Sequence, residues 1–455
     1  MHRVVVYVGI QKVCIINEPL PVYHSMDYRI KHMFIQQLEI ENFRGISKLT
    51  LPMDRKVTIF CGVNGAGKTT LLDAISHHLS WFILKVRRSS QGGSGDQISL
   101  DEIQNGKSFA KIKAQFKDGT EEYSVTLLKT RSGHIVAGKS DMTDFSFLAD
   151  AYKQKITEGP ESASLPILAY YTVQRNAEGE VRRIKTKHTF DLLSTYDNAL
   201  NPQVNFRTFF EWYRALEDIE NEQYRDLVME AGGKCDIAVN PQLKLVREVI
   251  EKFTGLKKLA IKRNPLRMQL EKDGKVLSVE QLSQGERDLL ALVGDLTRRI
   301  VIANPSKEDP LTGEGIVLID EIELHLHPKW QRQVVQLLST TFPNVQFIVS
   351  THAPQVLSEA EKDSIMLLYK NDGEFACNSI QQGKGLSSNE ILEEIMDSRS
   401  INKEVQDDLD TIFRLIDDND LAEARKRIEA FKAIYGSVPS IVRGETLLSF
   451  YATEL

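Results

Sequence analysis

The stretch Gly62-Val63-Asn64-Gly65-Ala66-Gly67-Lys68-Thr69 decides the fold. It has the spacing G-x-x-x-x-G-K-[ST], in which glycines let main-chain N–H groups turn inward around phosphate oxygens, where a side chain would collide. Its flanks are those the pattern needs. Lys56–Cys61 is a short β-rich run, and Thr70-Leu71-Leu72-Asp73-Ala74-Ile75 reads as a helix. Strand, glycine loop and helix in succession predict an α/β core, with the helix N-terminus adding its partial positive charge. Gly62, Asn64, Gly65, Gly67, Lys68, Thr69 and Thr70 are the candidate phosphate-binding residues. Lys68 is expected to reach the β/γ-phosphates of a nucleotide, and the Thr69 hydroxyl to ligate Mg2+.

The apolar run Ile316-Val317-Leu318-Ile319 reads as a buried strand and ends in Asp320-Glu321. Ligands of α/β sheets lie beyond the carboxyl ends of the strands. Asp320 is therefore the expected magnesium partner beside Thr69, and Glu321 the expected general base toward an attacking water. Val345–Val349 is a similar run, ending in Ser350-Thr351-His352.

Composition narrows the classes. The chain has 455 residues, 57 basic against 63 acidic side chains for a net charge of −6, 42% apolar content, 26% charged residues and 4 cysteines. The length allows two or three domains, and the composition excludes bulk disorder. No apolar run nears the roughly 18 residues of a membrane helix, so no membrane partner is expected. A globally basic nucleic-acid binder is excluded, whereas a local basic groove is not. Cys14, Cys61, Cys235 and Cys377 lie far apart without a C-x-x-C pair. That argues against a structural zinc site and a disulfide framework, and points to a cytoplasmic protein. Residues 1–32 are expected to be a strand-like extension. The apolar run Val4–Ile10 is cut short by Gln11 and Lys12, and no A-x-A site follows, which argues against a signal peptide.

Further elements follow from pattern. Ile35, Leu38 and Ile40 predict an edge or half-buried strand. Residues 87–107, with the breaker cluster Ser89–Asp96, predict a loop that projects from the core. Ala110–Phe116 and Tyr123–Lys129 predict a hairpin, as do Ser364–Tyr369 and Glu374–Ile380 around Asn371-Asp372-Gly373. Residues 189–255 are helical in composition, with Trp212, Tyr213, Leu216 and Ile219 at helical spacing. Val405, Leu409, Ile412 and Ile416 begin a helical hairpin that continues over Leu421–Tyr435. Asp420 or Asn419 is its N-cap candidate, and Gly436 its stop.

Leu282-Ser283-Gln284-Gly285-Glu286 precedes the helical stretch Arg287–Ile302 and resembles the signature segment of ATP-binding-cassette heads, in the form seen in chromosome-maintenance and RecF-type branches. Without that likeness, a Ser-x-Gly at a helix start is an anion-binding N-cap or an ordinary one. The resemblance implies an α/β P-loop NTPase fold of the cassette-head type with an inserted helical lobe and a helical C-terminal tail. It also implies that Ser283 and Gly285 clasp the γ-phosphate bound by a second copy, so that ATP joins two heads. Gln174, after the apolar run 165–173, resembles the family's glutamine that senses magnesium and attacking water. His352 resembles its γ-phosphate histidine. Residues 321–328 resemble the D-loop region of RecF- and OLD-type heads. Asn42-Phe43-Arg44-Gly45 matches an early segment of these heads, with Arg44 either on the nucleotide or a structural strand-end residue. His325 and His327 lack a third ligand at metal spacing.

These matches divide the chain into an extension (1–32), a first head half (33–174), a mostly helical insertion (175–278), a second head half (279–385) and a helical tail (386–455). No sustained heptad run appears in 175–280, unlike the long coiled coil of chromosome-maintenance proteins. The tail has no arrangement like the Toprim nuclease of the OLD family. Asp407, Asp408, Asp410, Asp417, Asp418 and Asp420 read as a solvated face. No intrinsic nuclease is expected.

The segments Leu409–Asp417, Glu423-Ala424, Ile428 and Pro439–Leu448 resemble the tail of the PtuA ATPase family of Septu-type and retron-linked anti-phage systems. That resemblance implies an ATP-hydrolysing subunit that regulates a separate HNH nuclease of the PtuB type. It also implies homodimers or higher oligomers formed through heads and tail. The tail's apolar faces contact a partner or another copy, or pack on the chain's own core. Basic stretches at 257–275, at Lys85, Arg87 and Arg88, and at Arg182, Arg183, Lys185 and Lys187 leave DNA or RNA as a local partner, or are solvated surface. The alternatives are a RecF-like DNA clamp and a nucleotide-sensing scaffold with little turnover.

Overall fold

The computed structural model describes residues 33–87, 95–174, 190–201, 206–231, 240–371, 373–396 and 402–453. The readings at 1–32, Arg88, the glycine-rich part of Ser89–Asp96, Arg182, Arg183, Lys185, Lys187, Cys235 and Asp372 lie outside those residues.

In chain order the first part holds β1 (Phe34–Phe43), β2 (Ile46–Pro52), β3 (Val57–Cys61), α1 (Lys68–Arg87), β4 (Phe109–Asp118), β5 (Glu121–Thr130), α2 (Thr143–Glu158) and β6 (Ile167–Tyr171). Next come α3 (Phe206–Ala231), α4 (Pro241–Thr254), β7 (Lys257–Arg263), β8 (Leu266–Lys272) and β9 (Lys275–Ser278). Then follow α5 (Gln284–Ala303), β10 (Glu314–Ile319), α6 (Pro328–Thr341), β11 (Asn344–Ser350), α7 (Pro354–Leu357), β12 (Ile365–Asn371) and β13 (Glu374–Ile380). The C-terminal region holds α8 (Ser388–Glu390), α9 (Lys403–Asp417), α10 (Leu421–Tyr435) and α11 (Pro439–Thr453).

The central sheet has the order β13-β12-β3-β11-β10-β6, parallel from β12 to β6 with β13 antiparallel at one edge. Its inner strands are covered on both faces, which is why Ile316–Ile319 and Phe347–Val349 are continuous apolar runs. The parallel register brings the carboxyl ends of β3, β10, β11 and β6 to one edge. A second sheet, β2-β1-β4-β5, is antiparallel.

Gln346 stitches the two sheets. Its buried Oε1 accepts from Ile35 N at 2.8 Å, and its Nε2 donates to the carbonyls of Met53 and Ile35 at 2.7 and 3.0 Å. A buried amide needs such partners, and here they come from the other sheet.

Of the two alternatives for the strand at Ile35–Ile40, edge or half-buried, β1 is the half-buried one, with β2 paired on one side and β4 on the other. Two other expectations are corrected. The described part of the 87–107 loop does not project, since Ile98 and Ile103 are buried in the core. The insertion, expected to be mostly helical, is only partly so among the described residues. Beyond α3 and α4 it forms the antiparallel sheet β7-β8-β9, whose buried Leu259, Ile261, Met268 and Leu270 alternate with exposed or half-buried residues. Alternation with a period of two is strand geometry, which the high charge of this stretch concealed.

α5 is almost entirely buried and carries its charges inward. Asp295 accepts from Arg298 Nη2 at 2.8 Å, Arg299 Nε at 2.6 Å and the Tyr171 hydroxyl at 3.0 Å. Burial works against its ionisation, but the two guanidinium groups outweigh that and hold its carboxyl down to about 2. The bond to Tyr171 ties α5 to the end of β6.

The tail helices α9, α10 and α11 pack on one another. Leu409, Ile412, Ile416, Ala424, Ile428, Phe431, Ile441 and Leu448 form a core separate from that of the two sheets. Their main apolar faces are thus satisfied locally, while Ile434 and Val442 are exposed. Asp420 caps α10 by accepting from Glu423 N, and Gly436 ends it at φ 80°.

Candidate nucleotide site

The glycine loop leaves β3 at the carboxyl edge, and α1 begins at Lys68. Gly62 has φ 143°, and a Cβ there would lie 2.3 Å from the Leu368 carbonyl oxygen on β12. Only glycine lets the loop turn that close to a neighbouring strand. At Gly65, φ is 79° and a Cβ would meet nothing within 4 Å, so this turn opens away from the protein. Lys68 is buried, and its Nζ donates to the carbonyls of Gly62 and Val63 at 2.8 and 3.3 Å.

Thr69, Asp320 and Ser350 meet from α1, β10 and β11. Thr69 Oγ1 donates to Asp320 Oδ2 at 2.9 Å, and Ser350 Oγ donates to Asp320 Oδ1. Ser350 Oγ also accepts from Glu321 N at 2.8 Å. Glu321 has φ 46°, a left-handed turn at the strand end that redirects its side chain. His352 Nδ1 stands 4.0 Å from Glu321 Oε1 and 3.0 Å from Glu323 Oε1. Gln174 lies in the turn after β6, exposed, with its N–H on Thr172 Oγ1 at 3.2 Å. Asn64 is exposed on the loop and Thr70 is half-buried on α1.

Arg44, with φ 49°, is held by two carboxylates beside α1. It donates to Asp73 Oδ2 at 2.5 Å and to Glu102 Oε1 at 2.9 Å. The Tyr170 hydroxyl donates to Asp73 Oδ1 at 2.9 Å. Burial opposes the charge on Glu102. Hydrogen bonds with His77, Ser99 and Arg44 outweigh it and hold the carboxyl down to about 2. Arg44 is thus locked to the first turns of α1.

At the start of α5, Ser283 forms a capping box with Glu286. Its hydroxyl donates to Glu286 Oε2 at 2.8 Å, and Glu286 N points back to it. Lys272 pairs with Glu286 at 2.5 Å. Ser283 is exposed, whereas Gly285 is buried, and a Cβ on Gly285 would lie 2.2 Å from the His325 carbonyl oxygen. His325 Nδ1 lies 2.8 Å from Asp288 Oδ2 on the same helix. His327 caps α6, accepting from Lys329 N at 3.2 Å. Both histidines have structural partners. In the stretch 257–275, Lys257, Lys258, Arg263 and Lys272 are ion-paired, and Arg87 pairs with Asp197.

Two supporting residues escaped the sequence reading. Ser350 joins Asp320 to Glu321, and Glu323 holds His352. Their only signals were a strand-end serine two before His352 and a second acid two after Glu321. The oxygen donors of Thr69 and Asp320 fit Mg2+, which takes one or two protein oxygens alongside phosphates and water. Among the described residues no group of three or more His, Cys, Asp or Glu could hold a metal by itself. No helix among them is long and apolar enough to cross a membrane.

Residues 34–375 match the RecF/RecN/SMC N terminal domain. The chain is 31% identical over 417 residues to Retron Ec83 probable ATPase of Escherichia coli, covering 80% of this chain and 76% of that one. It is 33% identical over 385 residues to Retron Vc95 probable ATPase of Vibrio cholerae serotype O1 biovar El Tor, covering 75% and 74%. Septu protein PtuA of Bacillus thuringiensis is 22% identical over 384 residues, covering 80% and 84%.

Proposed function

The chain belongs to the RecF/RecN/SMC N-terminal domain family, and from that premise we propose that it binds and hydrolyses ATP as a subunit of an anti-phage defence complex. The observation that carries the hydrolysis is the meeting of Thr69, Asp320 and Ser350 beside Lys68 and Glu321. Lys68 and the main-chain N–H groups of the loop bind the phosphates. Thr69 and Asp320 would hold Mg2+, which neutralises phosphate charge when bound. Glu321 accepts a proton from the attacking water, and His352 and Gln174 contact the terminal phosphate and the water. Arg44 acts from beside α1 to brace the nucleotide edge.

The similarity to retron and Septu ATPases supports the defence role. In this reading two heads join through ATP, with Ser283 and Gly285 of one facing the loop of the other. A separate HNH nuclease docks on the assembly and supplies the cleavage of nucleic acid. The exposed Ile434 and Val442 of the tail offer a surface for it. Phosphate release by the purified chain, absent in Lys68→Ala, tests the hydrolysis. Co-expression with the adjacent HNH subunit tests the assembly. Separate purification of the two, with phage protection surviving Lys68→Ala, would refute the defence reading.

A further inference from the structure

Glu323 has no part in the chemistry above, which assigns the base to Glu321. Its side chain is buried, at 5% exposure. Oε1 accepts the main-chain N–H of His352 at 2.6 Å and stands 3.0 Å from Nδ1 of the same residue. Oε2 is buried and has no hydrogen-bond partner among the described residues. Buried carboxylates are costly and normally satisfy both oxygens. This one leaves an oxygen unsatisfied while making two contacts to a single histidine, so its placement is explained by that histidine.

The second contact bears on where the ring carries its proton. Nδ1 stands 3.0 Å from the carboxylate oxygen, so the negative charge favours a proton on Nδ1 over one on Nε2. Nε2 is then the remaining nitrogen of a ring that is 48% exposed. Protonated in turn, it donates to an anion while Glu323 faces the positive ring. A carboxylate that orients an imidazole and sets its tautomer in this way recurs at hydrolytic and metal sites.

We propose that Glu323 is the positioning residue of His352, clamping its ring with Nδ1 protonated so that Nε2 is the atom offered to the terminal phosphate. The inference rests on the hydrolysis reading above and adds a residue to it. Glu323→Gln keeps the volume and removes the charge. Nitrogen-15 imidazole spectra of the nucleotide-free protein, with His352 assigned by comparison with His352→Ala, should show Nδ1–H in the wild type and its loss in Glu323→Gln. Phosphate release should fall about tenfold or more in Glu323→Gln, with affinity for a non-hydrolysable ATP analogue unchanged. Glu323→Gln combined with His352→Ala should be no slower than His352→Ala alone. Should Glu323→Gln fail to fold, Glu323→Asp, which withdraws the oxygen but keeps the charge, takes its place. A wild-type ring protonated on Nε2 alone, or rate losses that multiply in the double variant, would overturn the proposal. If the wild type releases no more phosphate than Lys68→Ala, the hydrolysis reading fails, and the tautomer measurement still decides the role of Glu323.

Discussion

Thr69 Oγ1 donates a hydrogen bond to Asp320 Oδ2 at 2.9 Å, joining residues 251 positions apart. The first lies at the start of α1 and the second just past the end of β10. Parallel pairing of β3, β11 and β10 makes them neighbours, because each strand delivers its carboxyl end to the same edge. Ser350, the last residue of β11, closes the set by bonding to both Asp320 and Glu321.

Glu321→Gln should leave nucleotide binding intact and slow phosphate release by roughly 10²–10⁴-fold, the range for losing a general base. Single-turnover phosphate release and equilibrium binding of an ATP analogue, measured together, check this. Weakened binding with unchanged turnover would assign Glu321 to another task.

Gly62→Ala should destabilise the fold. The new methyl carbon would lie 2.3 Å from the Leu368 carbonyl, at a φ of 143° that alanine disfavours. A loss of about 1–3 kcal/mol is expected from the backbone strain alone, read from urea denaturation midpoints. Gly65→Ala meets no atom within 4 Å and should cost less.

His78 should make stability fall in mild acid. It is fully buried on α1, and burial pushes its pKa down to about 4 from 6.5. The folded state therefore holds the neutral ring while the unfolded chain takes up a proton. This contribution is complete above pH 6.5 and is lost as pH falls from 6.5 toward 4, up to about 3 kcal/mol. Urea midpoints at pH 7.5 and 5 should differ in the wild type and differ less in His78→Leu.

Phe431→Ala should loosen the tail without touching the nucleotide site. Phe431 is 3% exposed in the small core that α9, α10 and α11 share. Truncating a buried phenylalanine costs about 3–5 kcal/mol, a large fraction of what so small a core supplies. Limited proteolysis should then cleave within 402–453, while binding of an ATP analogue to the head persists. Loss of that binding would place the tail within the same cooperative unit as the head.

The glycine loop, the strand-end acids at 320 and 321 and His352 were legible along the chain, because each sits where an apolar run stops and a special residue type begins. The β4–β5 and β12–β13 hairpins and the α9–α10 pair were legible from period and turn chemistry. The β7-β8-β9 sheet was not, since its charged residues masked an alternation of two. The partners of Arg44 were not either. Asp73 belongs to a helix and Glu102 to a stretch that looked like projecting loop.

By itself, then, the sequence determined which candidate groups the chain can offer: a glycine loop with its lysine and threonine, two strand-end acids and a histidine. Those are properties of residue type and local spacing. Only the tertiary structure decided what holds them: Gln346 between the sheets, Ser350 between Asp320 and Glu321, Glu323 under His352, and a tail that buries its apolar faces in itself. Such contacts join residues from different elements, often hundreds of positions apart. They carry no period along the chain, and strand order and helix packing alone bring them together.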